Sequence, residues 1–316
     1  MNTPFAMLAV LLPVSVLAIQ AEPVPSKAIA HRFLALGGQT RIVEEDGRTS
    51  WTYPESSRDG QLLANGHILL VLSKSDARPH GAVVELVPDS SGESGKSGKI
   101  VFEYVGTQSE INTAQRLANG NTMLVEAGDR PRVVEVNAKG AIQHETPLTS
   151  QTSNHHMESR MTRVLPNGNY LVPQLLDKVV REYAPSGAIL AEFKTPNDPP
   201  DAWPFTAIRL PDGNTLVTCT HANIVVEFDP KGAIVWQLSN TDFAKPLLND
   251  PCGAQRLPNG NTVICSYAIG ADRTKLLEVT RDKKLVWSFC EPEGPGVHEV
   301  QILSTNGAAI TDVPLR

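Results

Sequence analysis

The sequence predicts an all-β protein, a six-bladed β-propeller whose blades are four-stranded antiparallel sheets, and three observations predict it. A hairpin motif recurs along the 316-residue chain as QLLANGHILL, QRLANGNTML, RVLPNGNYLV, IRLPDGNTLV and QRLPNGNTVI, with VQILSTNGAAI as a looser sixth copy. A second hairpin follows each of the first five copies. The stretch FLALGGQTRIVEEDGRTSWTYP, near the amino terminus, supplies the half-repeat that the sixth copy lacks.

Each first hairpin is an apolar run, then Asn-Gly or Asp-Gly, then another apolar run. Those dipeptides tolerate the positive φ angles of a tight two-residue turn, so each copy is expected to be two antiparallel strands. The first turn residues are Asn65, Asn119, Asn167, Asp212, Asn259 and Asn306, and subtraction gives spacings of 54, 48, 45, 47 and 47. The second hairpins read VVEVNAKGAIQHE, VVREYAPSGAILAEF, VVEFDPKGAIVWQL and LLEVTRDKKLVWSF; in the first unit, VVELVPDS…GKIVFEY carries a serine- and glycine-rich insertion at its turn. Apolar residues alternate there with charged ones, as outer strands with one solvated face require. Four strands in a unit of roughly 45 residues is the signature of a propeller blade.

After Asn306 ten residues remain, so the sixth unit needs strands from the other end of the chain. Trp51 then falls where Trp236 and Trp287 fall, on the last strand of a blade, and all three are expected to pack between blades. Closing the ring in this way leaves no free sheet edge. Residues 308 to 312 and residues 32 to 37 both remain open as the second strand of the closing blade.

Residues 1–21 have the pattern of a secretory signal peptide, with Ala21 as the last residue before cleavage, and residues 22–316 form the mature single domain. The apolar run from Phe5 to Ile19 is shorter than the ~20 residues of a spanning helix and is interrupted by Pro13. The expectation is an exported monomer, periplasmic or extracellular, with no membrane span after cleavage. A net charge of −6, with both signs interspersed and no basic stripe, excludes a nucleic-acid partner. Four cysteines (Cys219, Cys252, Cys265 and Cys290) are too few for a disulfide scaffold and contain no CxxC pair. An oxidising compartment permits one disulfide, whose pairing the sequence leaves open.

In a propeller the first strand of each blade lines the central channel. The loop leading into it and the loop between its second and third strands open on one face, and the NG turns lie on the other. Five residues before the leucine that precedes each NG turn stand Arg58, Asn112, Arg160, Phe205, Cys252 and His298. Five of these six hydrogen-bond or react, unlike the residues of a sealed core. Around them lie Asp59, Glu110, His155, His156, Glu158 and Glu299, while Trp203 joins Phe205 in an apolar wall. The loops after the second strands add Lys74, Asp76, Arg130, Asp177, Lys178, His221, Asp272 and Arg273. A polar face edged by aromatics on a rigid scaffold suits a small polar or anionic molecule, a sugar, or a protein partner. The expected ligand-binding residues are Arg58, Asp59, Asn112, Glu110, His155, His156, Glu158, Arg160, Trp203, Phe205 and Cys252.

No cofactor motif identifies a prosthetic group. A metal would take His155 or His156 with His298 and a carboxylate such as Glu158 or Glu110, and a neutral histidine there would also serve as a general base. Neighbouring histidines on an extended segment point to opposite sides, so one of the pair faces a given ligand. The simpler alternative leaves one in solvent and the other bonded to a neighbouring loop. Met157 and Met161 read as gap fillers. Cys252 follows Asp250 and Pro251 and has no activating positive neighbour in sequence. Lys275 reads as a solvated strand residue.

The stretches DPKGAIVW and RDKKLVW, with RLPNGNT between them, resemble the propeller repeats of the pyrroloquinoline-quinone-like superfamily and of bacterial arylsulfotransferases. The likeness runs over nearly the whole mature chain and implies the propeller fold; the quinone dehydrogenases of that superfamily are longer and carry more blades. Arylsulfotransferases pass sulfate from an aryl sulfate to a phenol through a sulfated histidine, with His and Arg side chains neutralising the sulfate oxygens. The resemblance implies His298 as nucleophile or base and Arg58 and Arg160 as anion clamps. Two functions follow: a ligand-binding propeller without chemistry, and a group-transfer or hydrolytic enzyme working at the same face.

Overall fold

The computed structural model describes residues 28–89, 97–267, 274–291, 294 and 296–316. The expected signal peptide, most of the insertion in the first unit, and Asp272 and Arg273 lie outside the described residues.

Six antiparallel sheets form the six blades of a β-propeller. Blade one is Ser57–Leu62, Ile68–Leu72, Ala82–Pro88 and Gly98–Val105, and blade two is Glu110–Arg116, Thr122–Ala127, Arg132–Val136 and Ile142–Pro147. Blade three is Arg163–Val164, Tyr170–Gln174, Val179–Tyr183 and Ile189–Lys194, and blade four is Ala202–Arg209, Thr215–His221, Ile224–Phe228 and Ile234–Ser239. Blade five is Pro251–Arg256, Thr262–Ser266, Thr274–Val279 and Leu285–Cys290. In blade six Val297–Thr305 pairs with His31–Gly37, followed outward by Thr40–Val43 and Thr49–Tyr53. The amino-terminal segment therefore supplies the second strand of the closing blade, with Leu34 opposite Gln301. Ala308–Ala309 adds only a short hairpin on the inner edge.

Apolar side chains sit mainly in six clusters between neighbouring blades. One joins Leu34, Trp51 and Leu303 of blade six to Ile68 and Leu86 of blade one; another joins Leu216 and Val225 of blade four to Ile264 and Leu277 of blade five. Second strands such as Ile68–Leu72 are buried at every residue because a blade covers each of their faces. The repeated tryptophans seal the same seams: Trp51 donates its indole N–H to Ser97 O at 2.7 Å, Trp236 donates to Arg281 O at 2.9 Å, and Trp287 meets His31 edge-on at 4.6 Å.

The NG hairpins differ from expectation in their turn chemistry. In the first five copies the glycine alone has positive φ, from 81° at Gly66 to 89° at Gly213. Leu63 O accepts from Gly66 N and Leu63 N donates to His67 O, the pattern of a type I turn followed by a left-handed glycine. The Asn or Asp is selected for its side chain instead: Asn65 Oδ1 accepts from His67 N at 3.0 Å, and Asp212 Oδ1 from Asn214 N at 3.0 Å. Only Asn306-Gly307 has positive φ at both residues, 52° and 84°, as a two-residue turn demands.

Lys275 is a second departure. It is fully buried in the third strand of blade five, where its charge helps hold the Glu291 carboxyl below its usual range after the Arg41 hydrogen bond. A third-strand residue is covered by the adjoining blade, so strand polarity alone misjudged its exposure. All four cysteines are free thiols, with Cys219, Cys252 and Cys265 buried and Cys290 exposed. No helix among the described residues is long and apolar enough to cross a membrane.

Candidate functional site

A cavity of about 490 Å³ opens on the loop-rich face. Bulges in the innermost strands build it. The register of blade one passes from Ser57–Leu72 to Asp59–Val71 and skips Arg58; blade two skips Asn112, blade four Phe205, and blade six His298. Blade five skips two residues, Cys252 and Gly253. A bulge leaves its extra residue outside the ladder and re-aims its side chain. So five of the six equivalent positions at the channel mouth are bulged residues, Arg160 instead preceding the first strand of blade three, and Arg58, Phe205, Cys252 and His298 line the cavity together with Arg160, His156, Met157, Tyr267, His221 and Asp250. A Cβ on Gly253 would meet His298 O at 2.6 Å and Glu299 Oε1 at 2.8 Å, so glycine is needed where blade five approaches blade six.

The cation-rich side is organised by Glu110. Its carboxylate lies 2.7 Å from Arg58 Nη1 and 3.2 Å from His156 Nδ1. Burial alone would raise its pKa; the His156 hydrogen bond and the charges of Arg58 and Arg160 outweigh that and hold it at about 2. Arg58 also donates to Asn112 Oδ1 at 3.2 Å, and the buried Asn112 Nδ2 has no partner among the described residues.

Arg160 differs from Arg58. It is 5% exposed, lines the cavity, and its one side-chain hydrogen bond among the described residues goes to Ser159 O at 2.9 Å. Its guanidinium carbon lies 5.9 Å from the Phe205 ring centroid. Burial, with the charge of Arg58 adding to it, brings its pKa down to about 9 although Glu110 acts in the opposite sense. A guanidinium withdrawn from water without a carboxylate is an energetic liability that a bound anion would relieve.

His298 is half-buried and stacks on Tyr267, and lies 6.0 Å from the Phe205 ring at an interplanar angle of 19°. Burial and the positive charges of Arg160, Arg58 and His156 press its pKa down to about 3, so the ring is neutral near pH 7. Burial keeps the Cys252 thiol protonated, Asp250 pushing the same way and Arg160 opposing; its Sγ donates to Asp250 O at 3.1 Å.

The remaining expected residues do not line the cavity. His155–Met157 is a single 3-10 turn rather than an extended segment, and it sends the paired histidines to different partners. His156 faces Glu110 and Arg58, whereas His155 Nε2 lies 3.3 Å from Asp129 and its Nδ1 lies 3.8 Å from Glu158. Glu158 is buried beneath this turn and accepts from Gly128 N at 3.1 Å; burial, with Asp177 and Glu110 adding to it, raises its pKa to about 7. Trp203 packs on His221, ring centroids 4.1 Å apart. Among the described residues no group of three or more His, Cys, Asp or Glu side chains is placed to hold a metal ion.

Asp59 and Glu299 belong to a fully buried layer deeper in the channel. Asp59 accepts from Arg163 Nη1 at 2.8 Å and Nη2 at 3.1 Å, and Arg163 Nη2 lies 3.5 Å from Glu299. Arg316 enters the layer on the tail that follows blade six: Leu315 O accepts from Arg256 N at 2.8 Å, Arg316 O accepts from Arg163 Nε at 3.0 Å, and Arg316 Nη1 lies 3.7 Å from Asp59. Burial would raise the pKa of Asp59, but Arg163 and Arg316 hold it below the usual range, while burial keeps Glu299 above it.

Sequence reasoning missed Asp250 and Tyr267. A signal for Tyr267 exists: the seventh residue after each of the first five turn glycines is Ser73, Ala127, Leu175, Thr220 or Tyr267, and all but Ala127 line the cavity.

These features define a class, the six-bladed β-propeller with a polar cavity at its loop face. No family model and no curated protein matches the chain. Among solved structures, a protein of unknown function from Bacteroides caccae is similar with a TM-score of 0.73 and 23% identity, covering 86% of this chain and 98% of that one. A catalytically inactive histidine-to-alanine variant of virginiamycin B lyase from Staphylococcus aureus, with quinupristin, has a TM-score of 0.54 at 14% identity, covering 84% and 75%. A nidogen/laminin complex contains a chain with a TM-score of 0.59 at 9% identity, covering 86% and 97%. At such identities the likeness is one of fold, and this fold serves a lyase as well as a protein complex.

Proposed function

We propose that this chain is an exported ligand-binding propeller that holds a small anionic molecule in its loop-face cavity. The observation that carries this reading is Arg160, a buried, cavity-lining guanidinium with no acidic partner among the described residues. Arg58 reinforces the positive side, although Glu110 compensates it, and the His156 ring faces the same carboxylate. An oxyanion would gain charge-assisted hydrogen bonds from Arg160 in surroundings partly shielded from water.

The test is a thermal-shift and calorimetric screen of sulfate, phosphate and benzoate on the purified protein and on Arg160→Met. Stabilisation by at least one anion, lost in the variant, supports the reading. Indifference to all three, or equal binding by both proteins, removes it.

A second reading rests on His298, whose neutral ring lines the same cavity and makes no side-chain hydrogen bond among the described residues. Such a ring keeps its lone pair free for nucleophilic attack, while a pKa near 3 makes it a weak base at neutral pH. The repeat resemblance to arylsulfotransferases supports group transfer, with Arg160 as anion clamp. Turnover of an aryl sulfate that His298→Ala abolishes while binding persists would establish it.

A further inference from the structure

Ion pairing in this protein is extensive. Arg41 meets Glu291, Arg132 meets Glu126 and Glu145, and Arg181 meets Asp177 and Glu192. Against that background the cavity contains two exceptions of opposite sign. Arg160 is the cationic one. The anionic one is Asp250, which lines the same cavity and forms no ion pair with any described residue.

Asp250 is held firmly. Its backbone sits at φ 51° in the left-handed region. Its N–H donates to Asn223 Oδ1 at 2.7 Å, and its carbonyl accepts from Tyr267 N at 3.1 Å and from Cys252 Sγ at 3.1 Å. One carboxylate oxygen, Oδ1, accepts from His221 N at 2.9 Å and from Thr220 Oγ1 at 3.4 Å. The other, Oδ2, has no bonded partner among the described residues. A left-handed non-glycine residue fixed on every backbone side, with half of its carboxylate left over, is the arrangement of a preorganised acceptor.

The two charges are kept apart by the ring. Arg160 enters with blade three and Asp250 with blade five, and Phe205 of blade four stands between those blades. Neither charge reaches the other within ion-pair distance, yet Cys252 is influenced by both. The aromatic wall of Phe205, Tyr267 and the neutral His298 adds apolar and ring surface and no further charge.

The geometry points to a zwitterion as the ligand: a small molecule whose carboxylate or other oxyanion pairs with Arg160 while its ammonium pairs with Asp250. This deepens the anion-binding reading and rests on it. A simple anion would satisfy Arg160 but leave the Asp250 carboxylate unpaired in the same void, whereas a molecule carrying both charges satisfies both. The ammonium would also lie against aromatic faces, which favour cations.

The test is isothermal titration calorimetry with the ω-amino acids from glycine to 6-aminohexanoate and with L-phenylalanine. Each is compared with its des-amino acid and with its decarboxylated amine, on the intact protein, Asp250→Asn and Arg160→Met. The expected result is that at least one zwitterion binds about tenfold or more tighter than its des-amino partner, roughly 1.4 kcal/mol. Asp250→Asn should erase that preference while leaving the des-amino affinity within about twofold, as loss of one charged pair predicts. Arg160→Met should weaken both. Equal binding of every matched pair by the intact protein overturns the zwitterion assignment and leaves anion binding in place. Preference retained in Asp250→Asn also overturns it. If no carboxylate or zwitterion binds and the anion screen is negative as well, both readings fall together.

Discussion

Tyr267 lies flat against His298, with ring centroids 4.3 Å apart and planes 1° apart. A stacked, desolvated imidazole among arginines gains nothing from a proton, and its pKa falls to about 3 from an ordinary 6.5. Proton NMR should therefore show no titration of the His298 ring between pH 5 and 8, and Arg160→Met should move its midpoint upward. The sign for stability follows by linkage: unfolded chains take up this proton near pH 6.5 and the native state does not, so this group's contribution is lost as pH falls from 6.5 toward 3. His298→Gln should flatten that part of the acid limb. A normal midpoint near 6.5 would mean that the ring is open to solvent.

Glu110 links Arg58 of blade one to His156 in the turn before blade three, with its side chain 1% exposed. Glu110→Gln keeps the volume and removes the charge, which leaves Arg58 beside Arg160 without compensation. Removing one member of a buried pair costs on the order of 3 kcal/mol, and this variant should lose about that much in urea unfolding. A loss under about 0.5 kcal/mol would place the pair with ordinary surface bridges.

Glu158 should make stability depend on pH in the opposite sense from His298. Its native carboxyl keeps a proton up to about pH 7, whereas the unfolded carboxyl loses it near 4.5. Between those values the native state binds more protons, so stability falls as pH rises through the window. Glu158→Gln cannot release a proton and should flatten this slope in melting temperatures measured from pH 4.5 to 8. An unchanged slope would assign the effect to other groups.

The propeller was legible because its determinants are local and repeated. Asn-Gly or Asp-Gly turns and period-two alternation recur in every blade, and Trp51, Trp236 and Trp287 mark the same seam position in three of them. The finer turn geometry was not legible, since Asn-Gly serves both a two-residue turn and a type I turn with a left-handed glycine; only Asn306 proved to be the former. The mouth positions Arg58, Asn112, Arg160, Phe205, Cys252 and His298 were found by counting within the repeat. The bulges at all of these but Arg160 depend on pairing with the neighbouring strand, which no residue type announces. His155 is held away from the cavity by Asp129 of the preceding blade and by Glu158 three residues on, in a 3-10 turn that the sequence did not announce. Lys275 looked solvated because alternation reports one sheet, and the blade that covers it is a separate unit.

The buried layer of Asp59, Arg163, Glu299 and Arg316 gives the sharpest stability test, because its partners differ in geometry. Arg163 bonds Asp59 through two nitrogens at 2.8 and 3.1 Å and also lies near Glu299, whereas Arg316 approaches Asp59 only to 3.7 Å. Removing Arg163 leaves a fully buried, ionised carboxylate without its bidentate partner, so Arg163→Met should cost about 4 kcal/mol. Arg316→Met breaks a longer contact and should cost roughly 1 kcal/mol in side-chain bonding. Asp59→Asn in the Arg163→Met background removes the stranded charge, so the double variant should be more stable than the two single losses predict by about 2 kcal/mol or more. Denaturant unfolding of the intact protein, Arg163→Met, Asp59→Asn and the double variant measures this coupling directly. Additive losses would show that Arg163 stabilises the channel by packing its aliphatic stem and that the charge layer contributes little.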